Sequence, residues 1–212
     1  MKYAENAIKG VIFLIIGVSV VTSLFTENWS NLFVVGITLV LSLVPFFLER
    51  KYKICFSEKL KFGFVLFIFA TLFLGEVNNY YEEIHWWDTA LHFTAGLGLT
   101  TFGLVLLMEI YNQSELKSVP SMTTFFAFCF TGMMAAVWEV FEFACDYFYF
   151  GEPTMQGGLT DTMVDIIVAL LAGLIVCFYG FRYLKHRDKN FAGDIIEETS
   201  LSEDSDEGAQ HA

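Results

Sequence analysis

Charge is what this chain has least of: Asp, Glu, Lys and Arg make up 17% of its 212 residues while apolar residues make up 55%, and a soluble domain carries roughly a quarter charged. That shortage excludes an ordinary soluble domain. Alternation of apolar and polar residues is missing from the long apolar runs, which removes a membrane β-barrel and leaves helices as the spanning structure. The four cysteines show neither a CxxC nor a Cys/His zinc spacing, so no disulfide framework is expected and all four read as packing residues. Basic residues are absent from three whole connections, around 26–30, 77–87 and 149–160.

What is present is a set of six apolar stretches, at about 8–25, 31–48, 60–76, 88–110, 122–148 and 161–184, each long enough or nearly so to cross a hydrocarbon layer of about 30 Å. The fold class expected is therefore all-α, a polytopic bundle of six transmembrane helices occupying residues 1–187. All twelve Lys and Arg fall before the first span, in the second and fourth connections, or after the sixth. Because basic residues flanking spans are biased to the cytoplasm, both termini are expected there, with the three base-free connections outside. Trp29, Trp86 and Trp87 lie on those outer edges, where interfacial aromatics belong. A bacterial cytoplasmic membrane is the expected location.

Lys2 and Lys9 before the first apolar stretch imitate a secretory signal, but no small-residue cleavage site follows in "VVTSLFTENWSN", so this reads as a retained helix. The formal charge of −12 belongs largely to the tail after the sixth span, which holds eight acids in 188–212. Polar, Ser-rich and poor in aromatics, this tail is expected to be a disordered cytoplasmic segment. The basic groups are short, juxtamembrane and explained by topology, which leaves nucleic-acid binding without footing.

Against this greasy background the carboxylates stand out. Asp88 and His92 open the fourth span four residues apart; Glu139, Glu142 and Asp146 make a stripe on the outer half of the fifth; Asp161 and Asp165 repeat the four-residue spacing at the start of the sixth; Glu76 ends the third. Such spacings put side chains on one helix face. From the helical rise, His92 and Asp165 lie roughly 6 Å below the outer ends, Glu142 about 9 Å and Glu139 about 13 Å in. The levels overlap, so inward-turned stripes make one cup open to the outside. Gly96, Gly98, Gly103 and Gly173 are expected to close it below through tight helix contact.

An ionised side chain at mid-membrane costs at least about 2.5–3.5 kcal/mol, and no Lys or Arg lies among these acids. The missing positive charge is bound metal, protons held by the carboxylates, or a transported cation. Divalent metal fits best: carboxylates take hard ions such as Mg²⁺, and the imidazole admits Zn²⁺, Mn²⁺ or Fe²⁺. His92, Glu139, Glu142, Asp146, Asp161 and Asp165 are the candidate ligands. Asp88 and His92 are the candidate catalytic pair, with Asp88 orienting the imidazole or moving protons; Glu76 is a further candidate. The function expected is a metal-dependent hydrolase or transferase acting on a lipid or lipid-linked envelope substrate. A proton- or cation-coupled transporter, or a non-catalytic envelope binding or assembly protein, are the alternatives. "DTALH" and "DTMVD" echo one another at the starts of the fourth and sixth spans, as a parallel repeat of a helix pair would.

The segments "WDTALHFTAG", "WEVFEFACD" and "DTMVDIIVALLAG" resemble the signature of the YjdF-like family of bacterial inner-membrane proteins, across about Leu74 to Gly173. The pattern of Asp-x-x-x-His, Glu followed by an acid or amide, and Asp-x-x-x-polar before a glycine is more remotely similar to VanZ-like proteins, associated with low-level glycopeptide resistance. There the places answering to Glu142 or Asp146 and to Asp165 are commonly Gln and Asn, so this chain is the more acidic. The resemblance implies a bacterial six-helix core; it supplies no catalytic residues and no substrate.

Overall fold

A computed structural model of the chain describes residues 2–52, 56–112, 118–150, 157–187, 190–191 and 193–198. Every regular element among them is helical. Six helices are long and apolar enough to cross a membrane, over Ala7–Phe25, Trp29–Lys51, Glu58–Val77, Trp87–Tyr111, Pro120–Phe148 and Leu159–His186. The protein is a multi-pass helical membrane protein. Its chain divides into two compact units, one of residues 1–87 and 198–212, the other of 88–197.

The first unit is built from α1 (Lys2–Phe25), α2 (Trp29–Tyr52), α3 (Glu58–Ile68) and the short α4 (Tyr80–Glu83). A tight turn joins α1 to α2, with Glu27 in the left-handed region and the Asn28 side chain accepting from Asn31 N at 3.1 Å. This gives a free amide of the new helix its partner, as a capping residue does. Ser57 does the same for α3, accepting from Leu60 N at 3.2 Å. α3 continues as π-helical turns over Phe69–Val77, with Phe69 and Phe73 stacked 4.9 Å apart. These rings join Ile12, Ile16, Val35 and Val65 in the unit's core.

At the basic end of this unit Lys9 and Lys61 are buried instead of solvated. Lys9 bonds Glu58 at 2.8 Å, and Lys61 bonds Glu58 at 2.6 Å and Glu49 at 2.9 Å. Three helices are tied by two cations and two anions, with no charge left over. Burying a charge this way requires its partner.

The second unit contains α5 from Asp88 onward (the helix is Trp87–Asn112), α6 (Pro120–Cys145) and α7 (Leu159–His186). Each buries one stripe. On α6 it runs Thr124, Ala127, Thr131, Ala135, Glu139, Glu142, and on α7 Asp165, Ala169, Ala172, Gly173, Val176, Gly180, Tyr183. Steps of three and four keep each stripe on one face. Both faces are small and uncharged through most of their length and acidic only at one end.

Small residues let the helices touch. Gly96 of α5 lies against the backbone of Ala169 in α7, where a Cβ would overlap the Ala169 carbonyl. A turn further along, Gly173 leaves room for Thr100, whose hydroxyl meets that of Thr131 at 2.6 Å with both residues fully buried. Gly103 meets Ala127 in the same way. Gly98 departs from expectation: it is exposed and a Cβ there would meet open space, because it falls on the opposite side of the helix from Gly96 and Gly103.

The far end of this unit carries a second surprise. Arg187 closes α7 in the left-handed conformation, and residues 193–198, inside the segment expected to be solvated, are helical. Ile195 and Ile196 are buried against Val105, Tyr183, Met108 and Leu184. Tyr183 donates to Glu197 at 3.0 Å and accepts from Arg187 at 3.1 Å. The isoleucine pair is the one run of adjacent large aliphatic residues in an otherwise mostly polar tail; residues 199–212 lie outside the described residues. The cysteines are also not uniform: Cys177 is half-buried and donates to Thr124 O at 3.3 Å, Cys129 is exposed on α6 instead of packed, and Cys55 lies outside the described residues.

Candidate metal centre

The acidic ends of the three stripes in the second unit meet. Asp88 sits in the first turn of α5 and His92 one turn later, so both face the same way. Asp165 enters the same space from α7: one ligand atom each from Asp88, His92 and Asp165 lie within 4.8 Å of one another. Glu139 approaches from α6, its Oε1 3.7 Å from His92 Nε2, and Asp88 Oδ1 is 3.8 Å from that same nitrogen.

These separations are informative because they are too long for hydrogen bonds, which run about 2.7–3.2 Å. Asp88 is therefore not hydrogen-bonded to the imidazole through Nε2; it converges with Glu139 on the same ring nitrogen. Two ligands sharing a tetrahedral ion at bonds of about 2.0–2.1 Å would stand roughly 3.3 Å apart. The two separations from His92 Nε2 are within half an ångström of that spacing, and Asp165 lies within 4.8 Å of Asp88 and His92.

Two buried oxygens in it are orphans. Glu139 Oε1 and Asp165 Oδ1 have no hydrogen-bond partner, although Glu139 is only 5% exposed and Asp165 1%. Buried polar atoms in folded proteins nearly always find a partner. Hydroxyls neighbour both groups: Thr162 of α7 lies beside Glu139 and Thr89 of α5 beside Asp165. These threonines are the second residues of the two echoing motifs, each reaching to an acid on another helix. Sequence reading overlooked them, though the shared "DT" was visible.

The other candidates are placed differently. Glu142 is buried, and its Oε1 accepts from Trp138 Nε1 at 2.8 Å; this indole partner, four residues back on α6, was not foreseen. Asp161, in the first turn of α7, accepts from Gly157 N at 3.0 Å through Oδ2, so one of its oxygens serves the helix start, where a negative group also suits the dipole. Gly158, just before it, has φ 107°, a conformation that favours glycine. Asp161 still lies within electrostatic reach of Asp88 and Asp165. Asp146 is buried at the turn beyond Glu142. Glu76 is in the first unit, exposed at the end of the π-helical turns.

Among known proteins, a family model described as "Predicted membrane protein (DUF2238)" matches residues 8–186. An uncharacterised protein of Thermotoga maritima is 26% identical over 171 residues, covering 81% of this chain and 87% of that protein. No solved structure matches.

Proposed function

We propose, for a chain that belongs to the DUF2238 family of predicted membrane proteins, that Asp88, His92, Glu139 and Asp165 bind a divalent metal ion and that this centre serves hydrolysis or group transfer on a lipid or lipid-linked substrate. Membership of that family is consistent with the YjdF-like signature of its segments. The reading rests on one observation: two buried carboxylate oxygens lacking partners, Glu139 Oε1 and Asp165 Oδ1, in a cluster where His92 Nε2 stands 3.7 and 3.8 Å from acids it does not hydrogen-bond. An ion placed between them gives each a partner.

One imidazole and three carboxylates suit Zn²⁺, Mn²⁺ or Fe²⁺, and the imidazole makes Mg²⁺ a poorer guest. Such an ion acidifies bound water and polarises a carbonyl or phosphoryl oxygen. The protein's part is to hold the ligands. Thr89 and Thr162 stand beside Asp165 and Glu139, where outer partners of metal ligands belong. The charge bias of the loops puts this end of the helices on the outside of a bacterial cytoplasmic membrane.

Transport of a cation is the competing reading, and the packing of α5 on α7 speaks against it. One turn below His92, Gly96 lies against the Ala169 backbone, which leaves no room for a polar side chain between α5 and α7 at that level. Elemental analysis of the detergent-purified protein is the test. About one ion per chain, lost in His92→Ala and Asp165→Asn, supports the reading; no ion under any loading condition ends it.

A further inference from the structure

The proposed ion leaves Glu142 without a place in its shell. This carboxylate is 7% exposed and within electrostatic reach of Glu139, Asp88 and Asp165, yet its Oε1 is held at 2.8 Å by the Trp138 indole. Trp138 itself is 44% exposed, and its ring lies beside Phe141, with centroids 5.4 Å apart. The indole thus stands at the border between the acid cluster and the apolar outer surface of α6, which continues through exposed Val137 and Val140. A ligand with a polar head and an apolar chain would meet both surfaces at this point.

The sign of the head follows from the charges. Asp88 and Asp165 lie within electrostatic reach of Glu142 on one side and of Asp161 on the other, and Glu142 within reach of Glu139, so the carboxylates outnumber the two charges of one divalent ion. No Lys or Arg occurs between Lys117 and Arg182, and Arg182 is 21 residues along α7 from Asp161, roughly 30 Å by helical rise. An anionic phosphate head would meet acids without a basic clamp. A cationic head is complemented twice, by the carboxylate and by the face of an indole, which attracts ammonium groups electrostatically.

Resting on the metal reading above, we propose that Glu142 and Trp138 form a subsite for the ammonium head group of an amphiphilic substrate, seated beside the ion with its chain along the Phe141 face of α6. The substrate class is then an amine-bearing lipid whose reacting bond is an ester or amide close to the head.

The test uses full-length metal-loaded protein in nonionic detergent, titrated with dodecyltrimethylammonium or with dodecyl phosphate. Calorimetry and tryptophan fluorescence report binding, and metal content is measured on every sample. The ammonium probe should bind saturably and at least about tenfold more tightly than the phosphate probe. Glu142→Gln should keep its metal and lose that preference, while Trp138→Phe should lose the fluorescence response and weaken binding about threefold. Equal affinity of the wild-type protein for both probes, or an unchanged preference in Glu142→Gln, overturns the subsite and leaves the metal reading standing. Loss of metal in Glu142→Gln makes Glu142 a ligand and likewise overturns it. A wild-type protein that takes up no metal removes the reading underneath.

Discussion

His92 Nε2 stands 3.7 Å from Glu139 Oε1, on a different helix, and no hydrogen bond joins them. The two are held apart by packing, since each sits on the buried stripe of its own helix. A pair so placed is close enough to share an ion and too far apart to share a proton directly.

That relationship ranks the acids as ligands. Asp165→Asn and Glu139→Gln should each weaken metal binding by more than the roughly 10- to 100-fold that follows loss of an outer partner of a ligand. Asp161→Asn should leave the stoichiometry intact, because its Oδ2 is engaged with Gly157 N. Metal content after dialysis against a graded chelator checks all three; loss in Asp161→Asn equal to that in Asp165→Asn contradicts the ranking.

The glycines offer a paired test of helix packing. Gly96→Ala forces a methyl group into the Ala169 backbone and should destabilise the protein by about 1–3 kcal/mol, the usual cost of overpacking. Gly98→Ala meets open space and should be neutral or slightly stabilising, as expected for alanine in a helix. Thermal unfolding in detergent distinguishes them.

Buried lysines at the basic end of the first unit make a different forecast. Lys61→Met leaves Glu49 without its cation and Glu58 with Lys9 alone; a fully buried pair broken on one side costs about 3–5 kcal/mol, and the partial exposure of both acids reduces that to about 1–2 kcal/mol. Lys59→Met, which loses the half-exposed 3.3 Å contact with Glu198, should cost less, about 0.2–1 kcal/mol. Denaturation of the two variants under identical detergent conditions gives the comparison.

At the other end of the chain, Ile196 is 4% exposed within a small cluster. Ile196→Ala should cost about 2–3 kcal/mol locally and loosen the 193–198 turn well before the helices melt. Faster cleavage in this stretch by a nonspecific protease, with unchanged global unfolding, is the expected result.

Much of the fold was legible because membrane spans advertise themselves by length and apolarity. The six runs needed no knowledge of packing, and three-and-four spacing was enough to put Glu139 and Glu142 on one face. The way those faces meet depends on contacts that periodicity does not encode. Gly98 and Gly96 look equivalent in a sequence, and only the turn of α5 separates the one in open space from the one against Ala169. Asp88 appeared as the orienting partner of His92 because four residues separate them, yet that spacing fixes a side and not which atom is approached. Trp138 and the threonines of the "DT" pairs escaped notice for a similar reason: an indole among apolar neighbours reads as membrane surface until its N–H is seen to reach Glu142. Ile195 and Ile196 were outvoted by the polar composition around them, although two adjacent apolar side chains suffice to dock a single turn.

The meeting of Gly96 with Ala169 has a bearing on motion. Main chain pressed on main chain has no rotamer to swing aside, so any passage across the bilayer at this point would require two whole helices to rock apart. Chemistry carried out above that seam asks for no such movement, and a rigid hinge-free trio of helices would serve it well.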